Sequence, residues 1–377
     1  MTMPRSKYVQ EGQDGVYHCF SRCVRRAFLC GFDAQSGRDF SHRKAWLVDR
    51  LRILASIFAI DVCAYAVLQN HYHVILRICL EIAAAWSDRE VAIRWLTLFP
   101  IQHQPPSEAQ ISALADCPER IAVLRKRLCS LSWFMGRLNE FIARAANKED
   151  NVKGRFWESR FKCQALLDEA ATAACMVYVD LNLIRAGLAP TPEESDFTSI
   201  QERIRAWQNE MTSKALITSE LTQHNPDGPS AENMPISENK SGIPGSNPLA
   251  IPVGSLCPSS LWLCPIQSDT HRRGILQMTE VDCLNLVDQS GRLLRADIPR
   301  AMDPQLATIL LRIGANPQAW IDTISRFGPK FRLAAGLISS LRDFADKLGR
   351  RWIVGLSAAR AAFASPSTQL AGVKLLE

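Results

Sequence analysis

The chain has 377 residues, of which 47% are apolar and 22% charged, with a formal net charge of +6. That length buries a full core and leaves room for two domains, and the balance is that of an ordinary soluble globular protein. No stretch approaches a membrane span and the opening MTMPRSKYVQEG lacks a signal peptide's apolar segment, so a cytoplasmic protein with no membrane partner is expected.

The 12 cysteines form no CxxC pair and mostly sit inside apolar runs, which predicts reduced thiols acting as small hydrophobes. Charge is clustered: residues 1–60 carry ten Lys or Arg against five acids, and residues 120–162 carry eleven against four. Such clusters suit either a polyanion or two solvated helical faces.

In chain order, "DGVYHCFSRCV" predicts a strand and "SHRKAWLVDRLRILASIFAI" a helix capped by Ser41. "DVCAYAV" and "HYHVILRI" predict two strands joined by the turn "LQN". Residues 80–118 read as an irregular insertion, followed by one long amphipathic helix from Pro118 to Asn147. "RFKCQALL" predicts a further strand. The segment "DEAATAACMVYVDLNLIRAG" predicts one helix, capped by Asp168 and ended by Gly187 in a left-handed conformation. This order predicts an α+β fold, a ferredoxin-like antiparallel sheet with packed helices, over residues 1–210. Between Asn225 and Ser260, Pro, Gly, Ser and Asn fill 22 of 36 positions, so residues 211–260 are expected to be a disordered linker. Residues 261–377 are expected to form a separate, mostly helical domain with no obvious catalytic set, in which "GRR" beside Trp352 and the pair Arg272 and Arg273 suit either nucleic-acid contact or plain packing.

Two motifs carry chemistry. His71 and His73 alternate with Tyr72 and Val74 in a strand, so both imidazoles share one face. Tyr178, Asn182 and Arg185 form a polar stripe on the last helix, with Tyr178 and Asn182 one turn apart. Either motif alone also fits a structural role; together they suit work on a phosphodiester.

"LQNHYHVILRI" resembles the HUH metal-binding signature of two histidines flanking a bulky apolar residue. "YVDLNLIRAGL" is similar to the tyrosine helix of the single-tyrosine HUH transposases, above all the REP-associated tyrosine transposase branch, where it usually reads Tyr-x-x-Leu-Asn-Pro-x-Arg-Ala-Gly-Leu. "VYHCFSR" and "GRFWESRFKCQAL" resemble that family's first strand and the strand before the helix. The likeness spans residues 8–210, and Leu183 departs from it where many relatives have proline.

The resemblance implies a metal-dependent single-stranded DNA endonuclease and strand transferase. Tyr178 is the implied nucleophile, forming a 5′-phosphotyrosine and freeing a 3′-hydroxyl. His71, His73 and Asn182 are the implied ligands of a divalent metal, Mg²⁺ or Mn²⁺, which would stabilise charge on the phosphate. Single-stranded or hairpin DNA is the implied partner, since a regular duplex hinders in-line approach. Arg22, Arg25, Arg26, Arg155, Arg160, Lys162 and Arg185 are candidate phosphate contacts, and Trp157 either stacks on a base or anchors the core. His18 reads as a histidine packed under the sheet, with a ligand or acid-base role as the alternative. The active unit is expected to be a monomer or homodimer. Rival readings are a non-catalytic hairpin-binding protein, a replication initiator or relaxase with the same core, and a metal-independent phosphoesterase using both histidines as acid and base.

Overall fold

The structure is a computed structural model that describes residues 5–9, 12–24, 29–33, 37–101, 104–223, 262–294 and 303–363. Arg25 and Arg26, and the greater part of the expected linker, lie outside the described residues.

Val16, Tyr17 and Phe20, residue types that favour extended backbone, fall within strand β1 (Gly15–Arg22). A two-residue ribbon of β2 (Phe32–Asp33) and β3 (Arg38–Asp39) leads into helix α1 (Arg43–Ile57). Ser41 does not cap α1. The carboxylate of Asp39 captures its hydroxyl at 2.6 Å, and the helix begins two residues later, after His42, with no side-chain cap.

β4 (Ile60–Val67) and β5 (His71–Ile78) form the expected hairpin. Residues 80–118 are not irregular. They hold three helices, α2 (Leu80–Ala85), α3 (Asp88–Leu98) and α4 (Glu108–Ala115), the last two each opened by a capping box, Ser87 with Glu90 and Ser107 with Gln110.

The expected helix over 118–147 is two helices, α5 (Pro118–Leu128) and α6 (Leu131–Glu149). The chain breaks at Cys129 and at Ser130, which is extended at ψ 119°. α5 packs on α3 and α4, whereas α6 packs on α1, so one straight rod could not bury both apolar stripes.

β6 (Lys162–Leu166) is followed by α7 (Glu169–Asp180), capped as expected by Asp168, whose Oδ1 accepts from Ala171 N at 3.0 Å. The helix does not run unbroken to Gly187. It stops at Leu181 (ψ 6°) and resumes as the single turn α8 (Asn182–Arg185), after which Gly187 takes φ +68°. α9 (Ser199–Gln223) then runs well past residue 210.

The C-terminal part comprises α10 (Glu280–Leu294), α11 (Pro304–Arg312), α12 (Trp320–Ser325), α13 (Phe327–Lys330), β7 (Ala334–Ala335), α14 (Ile338–Lys347) and α15 (Leu356–Ala362). It does not stand apart. β7 pairs parallel with β6, Cys264 N donates to Val62 O at 2.8 Å, and side chains of both parts share one contiguous core.

The result is an α+β protein on a mixed five-stranded sheet, in the order β4-β5-β1-β6-β7. Tyr72 points to one face, where its hydroxyl donates to Asn139 Oδ1 of α6 at 2.7 Å; α1 and α6 cover that face. His73 points to the other, toward Tyr178 of α7. None of the described helices is long and apolar enough to cross a membrane.

Candidate active site

Strand register builds the site. β1 pairs with β5 on one side, setting Phe20 opposite His73 and Arg22 opposite His71. On its other side β1 pairs with β6, setting His18 opposite Gln164. Alternation then places His18, Phe20, Arg22, His71, His73, Lys162 and Gln164 along the floor of one cavity of about 930 Å³. Tyr178 forms one wall, and Gly328, Pro329 and the segment Phe331 to Leu333 another.

The three imidazoles meet. The His71 and His73 rings are 5.1 Å apart, and His18 lies 5.1 Å from His73 on its other side. His18 Nε2 and His73 Nδ1 share a hydrogen bond of 2.9 Å. His18 Nδ1 is 3.4 Å from Gln164 Oε1, and His71 Nδ1 is 2.6 Å from Asn70 Oδ1. Burial, together with the Arg22 charge, pushes His71 down to about 4. Burial likewise pushes His18 down to about 4, and with its neighbouring histidines and Arg185 holds His73 well below the ordinary range. All three rings are therefore neutral at physiological pH, the form with lone pairs to offer.

Tyr178 stands edge-on to His73 and His18, at ring distances of 5.6 and 5.9 Å. Its other face stacks on Phe327 at 5.9 Å, and the Arg185 guanidinium lies over the ring at 5.0 Å. The hydroxyl lies beside Gly328, where an added Cβ would come within 3.6 Å of it. Among the described residues, that hydroxyl makes no hydrogen bond.

The other expected residues divide. Arg22, Arg160 and Lys162 line the cavity, joined by Arg5 and Arg332, which sequence reasoning missed; Glu158 is the one acid on the rim among the described residues. Arg185 also donates to Ser325 O of α12. Arg155 does not line the cavity and bonds Glu158 O at 3.4 Å. Trp157 sits in the core: it is 8% exposed, its indole donates to Asn139 O at 2.9 Å, and its ring packs on Tyr72 and Phe156.

Asn182 is buried with its amide Nδ2 unpartnered, and it does not line the cavity. Among the described residues, no three His, Cys, Asp or Glu side chains are arranged to share a metal ion. The donors in the cavity that suit one are the two neutral imidazoles of His71 and His73; Asn182 is not brought into the cavity with them.

No family model matches the chain, and no curated protein matches it. A solved structure that does match is described as "Structure of the REP associates tyrosine transposase bound to a REP hairpin". It is 12% identical, covers 54% of this chain and 86% of that chain, and overlaps with a TM-score of 0.33.

Proposed function

We propose that the chain is a metal-dependent, single-strand-specific DNA endonuclease and strand transferase of the REP-associated tyrosine transposase type. The observation that carries the reading is the convergence of His71, His73 and Tyr178 on one cavity with a basic rim. The histidine pair and Tyr178 are far apart in sequence, and a core-filling tyrosine has no need of two neutral imidazoles and five cations around it. The strand order β4-β5-β1-β6, with α1 and α6 crossing one face, supports the ferredoxin-like form of the core.

In this reading His71 and His73 would hold Mg²⁺ or Mn²⁺, with the Asn182 amide oxygen as a third ligand. The ion would supply charge stabilisation at the phosphate's non-bridging oxygens. The chain's own residues do the rest. Arg5, Arg22, Arg160, Lys162 and Arg332 bind the strand by its phosphates. Phe327 and Arg185 hold the Tyr178 ring in place. The Tyr178 oxygen, once deprotonated, forms a bond to phosphorus. The bond from phosphorus to the 3′-oxygen breaks, and that oxygen leaves as a hydroxyl after taking a proton. The 5′-phosphotyrosine conserves the bond for rejoining.

A 3′-labelled hairpin oligonucleotide incubated with Mn²⁺ tests this, because the label stays on the fragment that carries the 5′-phosphotyrosine. Wild-type protein becomes covalently attached to the DNA and Tyr178→Phe does not. Absence of any adduct with wild type, with hairpin binding retained, would leave a binding protein in place of the enzyme.

A further inference from the structure

We propose that Gln164 and His18 are positioning residues, a hydrogen-bond relay that holds His73 as its Nδ1–H tautomer and leaves Nε2 as its bare nitrogen. A neutral imidazole carries one N–H, so the partners decide which nitrogen bears it. An amide oxygen only accepts, so Gln164 Oε1, at 3.4 Å, requires the proton of His18 on Nδ1. His18 Nε2 is then an acceptor, and the 2.9 Å bond to His73 Nδ1 requires the proton on His73. The same logic applies next door, where Asn70 Oδ1, at 2.6 Å, accepts from His71 Nδ1. Both strand histidines are thereby left with a bare Nε2.

His18 itself offers nothing to an ion, since one nitrogen carries a proton and the other accepts one. Its ring also stacks at 5.1 Å on His73 and 5.6 Å on Phe20, which fixes the His73 ring plane as well as its proton. Outer partners of this kind orient ligand imidazoles and raise their basicity. The assignment of tautomers stands on these bonds alone; its use, a lone pair aimed at a divalent ion, rests on the function proposed above.

The test uses the full chain labelled with ¹⁵N-histidine. It contains 7 histidines, and the His73 signals are assigned by their loss in His73→Gln. In metal-free wild type, two-bond ¹⁵N–¹H correlations are expected to show His18 and His73 both protonated at Nδ1. His18→Phe keeps the stacked ring and removes the acceptor, so the His73 proton redistributes toward Nε2. Gln164→Leu frees His18 to take either form and mixes both patterns. A wild-type His73 protonated at Nε2, or a His73 pattern that ignores both His18→Phe and Gln164→Leu, would overturn the relay. Mn²⁺ titrations on the same samples are expected to show affinity lower by about 10–100-fold in His18→Phe. A wild type that binds no Mn²⁺ sinks the metal reading and leaves the tautomer measurement to decide the relay.

Discussion

Asp180 lies two residues after Tyr178 and is 1% exposed, yet it carries a carboxylate. Its Oδ1 accepts from Ser199 Oγ at 2.5 Å, and the same serine accepts from Tyr65 N at 2.8 Å, so α7, α9 and β4 are tied at this point. Burial outweighs the Ser199 bond and the Arg203 charge and raises the carboxyl from 3.8 to about 6. A raised acid reverses the usual carboxylate case. Between these two values the folded state holds more protons than the unfolded, so stability is lost as pH rises through that window. Two pH units at 1.36 kcal/mol each set the cost of ionising this group in the fold at about 3 kcal/mol. Asp180→Asn keeps the acceptor and removes the charge. It should therefore be more stable than wild type by up to about 3 kcal/mol at pH 7.5, and the gap should shrink steadily as the pH falls toward 4. Denaturant melts of both proteins over that range measure the gap. The difference curve is the one to read, because the buried histidines titrate in the same window and cancel in it. An Asp180→Asn less stable than wild type at pH 7.5, or a gap that does not move with pH, would mean that the carboxylate is stabilising as an ion beside Arg203.

Trp157→Ala should lower stability by about 3–5 kcal/mol through the cavity it leaves, with no loss of oligonucleotide affinity beyond that from unfolding, as melts and filter binding will show. Gly336→Ala places a Cβ 2.7 Å from Asp168 Oδ2, the oxygen that accepts from Leu337 N at 2.6 Å, and should cost about 1–3 kcal/mol in a thermal or denaturant melt. Gly328→Ala, whose Cβ meets the Tyr178 hydroxyl at ordinary contact distance, should leave adduct formation near wild type, whereas Gly328→Leu should abolish it while leaving the melt unchanged.

What could be read from the sequence follows from how local each cause is. The hairpin of β4 and β5, the pairing of His71 with His73 and the Asp168 cap depend on residues within a few positions of one another, and each appears as expected. The capping boxes at Ser87 and Ser107 are equally local, four-residue patterns that turn residues 80–118 into helices, and they were there to be seen. The break at Cys129 is different. Either half of 118–147 is a good helix, and only the different partners of α5 and α6 require a bend.

The site divides the same way. His18 is one position on a strand until register is known; once β1 lies between β5 and β6, the same residue faces His73 and Gln164 together. A composition-based boundary near residue 260 describes where the chain loses apolar periodicity, and says nothing of what packs on what. The part beyond it returns to extend the sheet at β6 and to lay Phe327 against Tyr178. Two neighbours of the proposed nucleophile, Phe327 and Gly328, therefore come from a stretch with no motif of its own, because a wall needs only shape and an apolar face, and those are set by contacts that no local pattern encodes.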